Sequence, residues 1–288
     1  MSYPPLRSKL CAVAPAVLAA LVYGCATTAP ALPNLDATLW VQTAAEYEAA
    51  SRSVYEAAAR SLPAALNDPT RTAVLEQQGS FAELQPAVIV DVDETVLDNS
   101  PYQARLLIEG QIYDSDSWAT WVDEASAEAV PGALGFATAS SNLGITVFYL
   151  TNRRSSQEEA TRRNLERLGF PVRDDMDVIL TRGERPEWTG AKSSRRQAVA
   201  GTHRVLMMVG DDLNDFLDVG GLTVDERSEL TALYADYWGD RWWMLPGPTY
   251  GSWERALWDS DYELDASERI ERKVEYLDPG TRTERLEQ

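Results

Sequence analysis

The side chains best suited to chemistry in this 288-residue chain are aspartates that follow short apolar runs. Ala87-Val88-Ile89-Val90 leads into Asp91-Val92-Asp93-Glu94-Thr95. Ile145 to Leu150 leads into Thr151-Asn152-Arg153, and Val205 to Val209 into Gly210-Asp211-Asp212-Leu213-Asn214-Asp215. Just past a strand end, Asp91 and Asp93 can both face one crevice while Val92 turns away. One carboxylate so placed can attack phosphorus in line. The other can protonate the leaving oxygen and later deprotonate water. Thr151 and Asn152 are fit to donate hydrogen bonds to phosphoryl oxygens. Lys192, at the start of a helix, supplies positive charge that an acidic chain must place locally. Asp211 completes a metal site, and Asp215, one helical turn further on, is placed to hold a metal-bound water or to orient Lys192.

Carboxylates gathered in one crevice repel one another. At about 4 Å and an effective dielectric of about 20, each like pair costs about 4 kcal/mol. Either some of them hold protons or a cation sits among them. All the donors are oxygens, which points to a single Mg²⁺. Scarce residues exclude other chemistries. His203 is the sole histidine, and Cys11 and Cys25 are the only cysteines. No multi-imidazole zinc site can be assembled, and no G-x-S-x-G nucleophile elbow is present. With 26 basic and 45 acidic residues the formal charge is −19. Such a surface repels phosphodiester polymers, so nucleic-acid binding is excluded.

Elements able to position these residues follow from the hydropathy pattern. The runs 87–90, 145–150, 177–180 and 205–209 read as strands buried on both faces. Helices are expected over 36–66 with a further helical piece to about Gln78, over 132–142, from a Ser155–Glu158 capping box to Gly169, and after Lys192. Strands alternating with helices imply an α/β fold with a parallel sheet flanked by helices. Its strand carboxyl ends would collect Asp91, Asp93, Thr151, Asn152, Asp211 and Asp215 in one crevice. Residues 100–130, with Tyr102, Trp118 and Trp121, break the alternation and read as an inserted cap. Beyond about 216 come an acidic helix, the aromatic pairs Tyr237-Trp238 and Trp242-Trp243, and a loop over 246–251. The divisions expected are 25–84 (leader and N-terminal helical region), 85–218 (catalytic core with the insertion) and 219–288 (helical and aromatic). Asp98 and Asp212 read as turn or capping residues, and Glu94 as a residue that shapes its loop. Arg153 and Arg154 either recruit phosphate or pair with Glu158. His203 reads as structural or exposed.

Residues 1–24 read as an export signal, with Arg7 and Lys9 ahead of an apolar stretch too short for a comfortable membrane span. Val22-Tyr23-Gly24-Cys25 resembles a bacterial lipobox, with Cys25 as the lipidated residue. The mature chain is then expected outside the cytoplasm, anchored by lipid, with the outer membrane preferred because Ala26 is not an inner-membrane Asp signal. Cleavage near Ala26 to Ala29 as an ordinary secretory signal is the alternative.

Taken in order, D-x-D-x-T, an apolar run ending in Thr, a Lys and G-D-D-x-x-D resemble the four motifs of haloacid-dehalogenase-like (HAD) phosphatases. Asp91-Val-Asp-Glu-Thr-Val-Leu-Asp-Asn-Ser-Pro-Tyr102, Trp118-x-x-Trp121-Val, Val130-Pro-Gly132, Leu150-Thr-Asn-Arg-Arg154 and Gly210-Asp-Asp-Leu-Asn-Asp-Phe216 resemble class C nonspecific acid phosphatases. Tyr250-Gly-Ser-Trp253-Glu254 and the early Glu46-Tyr47 are also similar to that family, so the likeness spans about 40 to 265. It implies a Rossmann-like core with a smaller helical accessory region built from N-terminal, inserted and C-terminal segments. It also implies a Mg²⁺-dependent acid phosphatase working through a phosphoaspartyl intermediate. Asp91, the Asp93 main-chain carbonyl and Asp211 would ligate the metal. Trp118 and Tyr250 would flank the leaving group, where nucleobases of nucleoside 5′-monophosphates can stack; packing within the cap is their other reading. Lys192 stands in a weakly diagnostic context, Gly190-Ala191-Lys192-Ser193-Ser194. Expected partners are small phosphomonoesters and a membrane reached through Cys25, with a homodimer compatible. Phosphotransfer to an alcohol, and a tethered nucleotide-binding protein without turnover, are the competing functions.

Overall fold

Parallel strands cannot be joined by hairpins, so a parallel sheet must be wound through crossovers. The computed structural model describes residues 33–261 and 263–278. In chain order it contains α1 (Leu35–Thr43), α2 (Ala45–Asn67), β1 (Gln85–Val90), β2 (Leu97–Asp98), α3 (Ser100–Glu109) and α4 (Ser115–Glu124). Then come β3 (Glu128–Ala129), α5 (Ala133–Asn142), β4 (Thr146–Arg154), α6 (Glu158–Leu168), β5 (Ile179–Arg182) and α7 (Ser193–Ala200). The last elements are β6 (His203–Gly210), α8 (Val224–Leu233), β7 (Trp242–Met244), α9 (Ser252–Ala256) and α10 (Ala266–Glu275). The described residues from Asn34 onward form one compact unit.

The sheet order is β5-β4-β1-β6-β7, with every pairing parallel. The α/β expectation of a parallel sheet flanked by helices holds. β1 is central, and Val88, Ile89 and Val90 are at most 3% exposed. Burying each such side chain contributes about 1.5–3 kcal/mol. Val90 is in register with Tyr149 of β4 and Val209 of β6. The residues that follow these three strands therefore emerge side by side at the carboxyl edge. Strand order reverses there, with the chain stepping outward first on one side of β1 and then on the other, which opens a crevice.

Helix α2 fastens the loop after β1 to the rest of the fold. Tyr55 lies 5.7 Å from Phe136 of α5 between ring centroids, and its hydroxyl donates to the Thr95 carbonyl at 2.6 Å. Gly132 starts α5 at φ +95°, and a Cβ there would stand 2.9 Å from Tyr55 Cβ. The close approach of α2 to α5 thus requires glycine.

Several boundaries differ from the sequence reading, each for a local reason. No helix continues to Gln78. The segment after Asn67 spends its hydrogen bonds on the sheet instead, through Ala73 N–H to the Val205 carbonyl at 2.7 Å and Gln77 Nε2 to the Ala200 and His203 carbonyls. β5 begins at Ile179 because the Asp177 carboxylate turns back to accept from Ile179 N–H at 3.1 Å. No Ser155–Glu158 box caps α6; a 3-10 turn, Ser155–Gln157, leads into it instead, and Gln157 Oε1 closes that turn by accepting from Arg154 N–H at 2.8 Å. The inserted cap carries α3 and α4 but also an antiparallel β2–β3 ribbon, so the accessory region is not purely helical. The aromatic segment past 218 returns a strand to the core sheet. Met208 pairs with Trp242 in β7, and Trp242 Nε1 donates to the Ala73 carbonyl at 2.7 Å.

Candidate active site

Three carboxylates meet where β1 and β6 end. Asp91, Asp211 and Asp215 each bring one oxygen to a position within 4.8 Å of the others. Asp91 stays attached to β6 through its own N–H, which donates to the Val209 carbonyl at 3.0 Å. Asp215 arrives by way of a single 3-10 turn, Leu213–Asp215, capped by Asp212. Glycine makes this convergence possible at two points. Asp215 folds its carboxylate over Gly210, where a Cβ would collide with it. A Cβ at Gly247 would stand 2.5 Å from Asp211 Oδ2.

Lys192, from the residue before α7, reaches into the same cluster. Its buried ammonium donates to Asp91, to Asp215 Oδ1 at 2.7 Å and to the Leu150 carbonyl at 2.9 Å. Burial works against the lysine charge, but Asp215 and Asp91 outweigh it and raise the lysine above its usual range. Burial also pushes Asp91 up to about 7, against the pull of Lys192 and with the help of Asp215 and Asp93. It raises Asp211 well above the usual carboxylate range, and Asp215, Asp91 and Glu94 add to the effect. Asp215 is raised too, chiefly by burial. Those shifts record the repulsion among the carboxylates; with all three ionised they would exceed the one ammonium by two charges, which one divalent cation would match. The donors are all hard oxygens, so the cluster fits such an ion.

The Asp93 carboxylate does not join this cluster. It forms an ion pair with Arg153, Nη2 to Oδ1 at 2.8 Å, while Arg153 Nε donates to the same oxygen at 3.0 Å. Asn99 Nδ2 donates to Asp93 Oδ1 at 2.9 Å, and the Thr151 hydroxyl donates to Oδ2 at 3.3 Å. Arg153 is held in turn by the Thr161 hydroxyl, and its guanidinium lies 5.6 Å from the centre of the Trp118 ring. The two acids of the first motif therefore sit in different surroundings, one against a lysine and two carboxylates, the other against an arginine and an amide.

Glu94 adopts φ +57°, a left-handed conformation costly for a side chain of its kind. Its carboxylate is anchored by Asn99 N–H at 3.0 Å, Asn99 Nδ2 at 3.1 Å and the Tyr250 hydroxyl. Burial first, and then Asp93, push Glu94 up to about 8. This fits the expectation that Glu94 shapes its loop. Asp98 and Asp212 serve as turn and cap residues, Asp98 Oδ1 accepting from Ser100 N–H at 2.8 Å and Asp212 Oδ1 from Asn214 N–H at 2.8 Å.

The other expected site residues fall as follows. Thr151 lies beside Asp93. Asn152 directs its amide Nδ2 to the Gly190 carbonyl at 3.0 Å and its Oδ1 to Arg195 Nη2 at 2.7 Å, so its side chain joins the loop before α7 to β4. Trp118 packs edge-on against Tyr102, with ring centroids 5.1 Å apart. Tyr250 reaches the first motif from the opposite end of the chain through Glu94. Cys25 and the export signal lie outside the described residues. Among the described residues no helix is long and apolar enough to cross a membrane. Arg153 pairs with Asp93 and not with Glu158, and His203 is buried at the start of β6.

Asn99 and Arg195 were not anticipated. Asn99 is fully buried and accepts from Trp121 Nε1 at 2.8 Å while donating to Asp93 and Glu94. Arg195, equally buried, donates to the carbonyls of Thr151, Thr189 and Ala191. A sequence signal for Arg195 exists in its spacing from Lys192, which puts both on one face of the helix start. Asn99 stands inside the 91–102 run, but its partners come from three separate segments, so its contacts could not be read from spacing.

The comparisons with known proteins agree with this architecture. A family model described as HAD superfamily, subfamily IIIB (acid phosphatase), matches residues 26–253. The class C acid phosphatase of Bacillus anthracis superposes with a TM-score of 0.76 at 33% identity, covering 86% of this chain and 98% of that one. The same protein with tungstate bound superposes equally well. Acid phosphatase 1 of Solanum lycopersicum is 32% identical over 143 residues, 49% of this chain and 54% of that protein. The stem 31 kDa glycoprotein of Glycine max is 24% identical over 163 residues, 56% of this chain and 58% of that protein. The chain thus spans little more than half the length of these two plant relatives.

Proposed function

Because this chain belongs to subfamily IIIB of the HAD superfamily, the acid phosphatases, we propose that it hydrolyses phosphomonoesters with Asp91 as nucleophile and Asp93 as general acid and base. The observation that carries this reading is the separation of the two carboxylates. Asp91 is packed with Asp211, Asp215 and Lys192, whereas Asp93 is oriented apart from them by Arg153 and Asn99.

In the first step an Asp91 oxygen forms a bond to phosphorus and the ester P–O bond breaks. Asp93 gives its proton to the departing oxygen. In the second step water attacks the aspartyl phosphate, Asp93 takes the water proton, and the Asp91–phosphorus bond breaks to release phosphate. The Lys192 ammonium, touching Asp91, is positioned to stabilise the phosphoryl oxygens, and the Thr151 hydroxyl lies beside the acid. Asp215 holds Lys192 in place. Asp91 and Asp211, with the Asp93 main-chain carbonyl, would hold Mg²⁺, which supplies charge neutralisation for the phosphoryl group. The tungstate-bound Bacillus relative supports a site shaped for a tetrahedral oxyanion.

Trp118 is linked to Asp93 through Arg153, and Tyr250 to the same motif through Glu94, and both are suited to flank an aromatic leaving group. Nucleoside 5′-monophosphates are the substrate class this favours. The lipobox-like run ending in Cys25 supports action outside the cytoplasm, on a lipid anchor.

The test is release of p-nitrophenol from p-nitrophenyl phosphate by the purified chain, with Mg²⁺ and with EDTA. Turnover that stops in EDTA and returns with Mg²⁺ is expected. Turnover untouched by EDTA removes the metal assignment, and no turnover of any ester removes the hydrolase reading in favour of a binding protein.

A further inference from the structure

Two arginines at the carboxyl edge of the sheet have no role in the steps above. Arg154 ends β4, Arg182 ends β5, and the two are register partners on adjacent parallel strands. Both are exposed, and neither guanidinium makes an ion pair or a hydrogen bond among the described residues. Like charges directly opposite each other on neighbouring strands are destabilising. In a chain with 45 acidic and 26 basic residues, a neutralising partner would be easy to supply. The nearest acid in sequence is not used for that purpose. Glu184 turns its carboxylate back to Thr181, accepting from N–H at 3.2 Å and from the hydroxyl at 3.3 Å.

The cap brings a third group toward this pair. Tyr113 is 60% exposed, and its ring lies 6.4 Å from Trp118 and 6.5 Å from Tyr102. Burial and the Tyr102 hydroxyl raise the Tyr113 hydroxyl, Arg154 and Arg182 draw it down, and Asp93 pushes it up. Both guanidiniums and the Asp93 carboxylate therefore lie within electrostatic reach of one phenol. Geometry gives the same neighbourhood: Arg154 follows Arg153, which grips Asp93 at 2.8 Å and lies 5.6 Å from the centre of the Trp118 ring, and Tyr113 stands against that ring, so the arginine pair adjoins the acid that would protonate the leaving oxygen.

We propose that Arg154 and Arg182, with the Tyr113 hydroxyl, form a subsite for a second anionic group, phosphate or carboxylate, carried by the leaving group of the substrate. This rests on the phosphomonoesterase reading for its account of which side the leaving group occupies. A second anion would neutralise two adjacent cations and would be held by charge-assisted hydrogen bonds. It would also give an acidic enzyme a way to attract substrates that its net charge repels.

Matched pairs of esters test the subsite: adenosine 3′,5′-bisphosphate against adenosine 5′-monophosphate for phosphate, and 3-phosphoglycerate against glycerol 3-phosphate for carboxylate. In the unaltered chain kcat/KM should favour the member with the extra anion in at least one pair, and 0.5 M salt, which makes the screening length roughly twofold shorter than at 0.1 M, should erase much of that preference. Arg154→Met and Arg182→Met should each lower the ratio within that pair by about fivefold, and the double variant by more. Both side chains are exposed and each variant relieves a like-charge pair, so the variants should melt at or slightly above the wild-type temperature. Calorimetric binding of the same four compounds in EDTA gives a second readout that needs no turnover. Anion preference that depends on the arginines, in a chain that cleaves no ester, would retain the subsite and overturn the hydrolase reading. Active enzyme whose ratios and affinities ignore both substitutions would overturn the subsite alone. Response of one pair only would identify the second anion as phosphate or as carboxylate.

Discussion

Arg153 and Asp93 are joined by two contacts to a single carboxylate oxygen, at 2.8 and 3.0 Å, with the arginine side chain 1% exposed and the aspartate side chain 18% exposed. The acid proposed to meet the leaving oxygen is thus held by a buried cation on one oxygen while its side chain stays partly exposed. Asn99 completes the restraint, donating to the same oxygen at 2.9 Å.

The leaving-group dependence of the rate should expose this arrangement. Arg153→Lys keeps the charge but loses the forked geometry. Turnover of alkyl phosphates, which need a proton on the leaving oxygen, should fall by about tenfold to a hundredfold. Turnover of p-nitrophenyl phosphate should change far less. In an Asp93→Asn background the Arg153 substitution should have no further effect on the alkyl-to-aryl ratio. An equal loss on both ester types would make Arg153 a purely structural residue.

Asp91→Asn should lower kcat by about a thousandfold or more, because a carboxamide cannot form the covalent intermediate. Rapid quenching of the unaltered chain with substrate should trap a phosphorylated protein, with the label on residue 91 by peptide mass mapping. A label on another residue, or undiminished turnover by the variant, would contradict the nucleophile assignment.

Added Mg²⁺ should raise the melting temperature, because an ion that binds only the folded state contributes about 2.7 kcal/mol at a hundred times its dissociation constant. Asp211→Asn should abolish that increment and Asp98→Asn should preserve it. The same calorimetric scans check Lys192→Met, which leaves Asp91 and Asp215 without their buried partner. The expected loss is about 3–5 kcal/mol in the metal-free chain. A neutral outcome would show that the ammonium is dispensable to the fold.

Glu94 should carry a visible pH dependence. Its folded value is pushed up to about 8 by burial and Asp93, from an ordinary value of 4.5. The folded state therefore holds a proton that the unfolded chain releases, and stability falls as pH rises from about 4.5 to about 8. Glu94→Gln should flatten that slope and keep the loop anchored to Asn99. Glu94→Ala should lower stability by about 1–3 kcal/mol for each stranded donor. Melting temperatures measured across this pH range, with an unchanged slope in the Gln variant, would refute the assignment.

His203 gives a test remote from the crevice. Burial, with a smaller contribution from Arg173, lowers it below 6.5. Its ring packs edge-on against Phe148 at 4.9 Å and its Nδ1 meets the Thr202 hydroxyl at 2.9 Å. The stability it lends is present above pH 6.5 and is lost as pH falls through its folded value. As the sole histidine, it can be titrated without ambiguity by NMR, and a midpoint at or above 6.5 would be the adverse result.

Much of the fold could be read from the sequence because each core strand is a local signal. An all-apolar run of four to six residues ending in polar groups states both the strand and the edge that carries the chemistry, as at 87–95 and 205–215. Periodicity also placed α5 and α7. It failed at 68–78, where hydrogen bonds to the sheet replaced a helix, and at β7, where three residues are too few to display a period.

By itself, then, the sequence determined which residue types were available and at which strand ends they would appear. Tertiary structure decided how those groups were partnered. Asp215 joined Asp91 and Asp211 because Gly210 left room for its carboxylate, while the Asp93 side chain went to Arg153 and Asn99. A spacing such as D-x-D gives the direction of two side chains along one strand. The charges and donors that meet them come from segments distant in the chain, and only the packed sheet brings those into range.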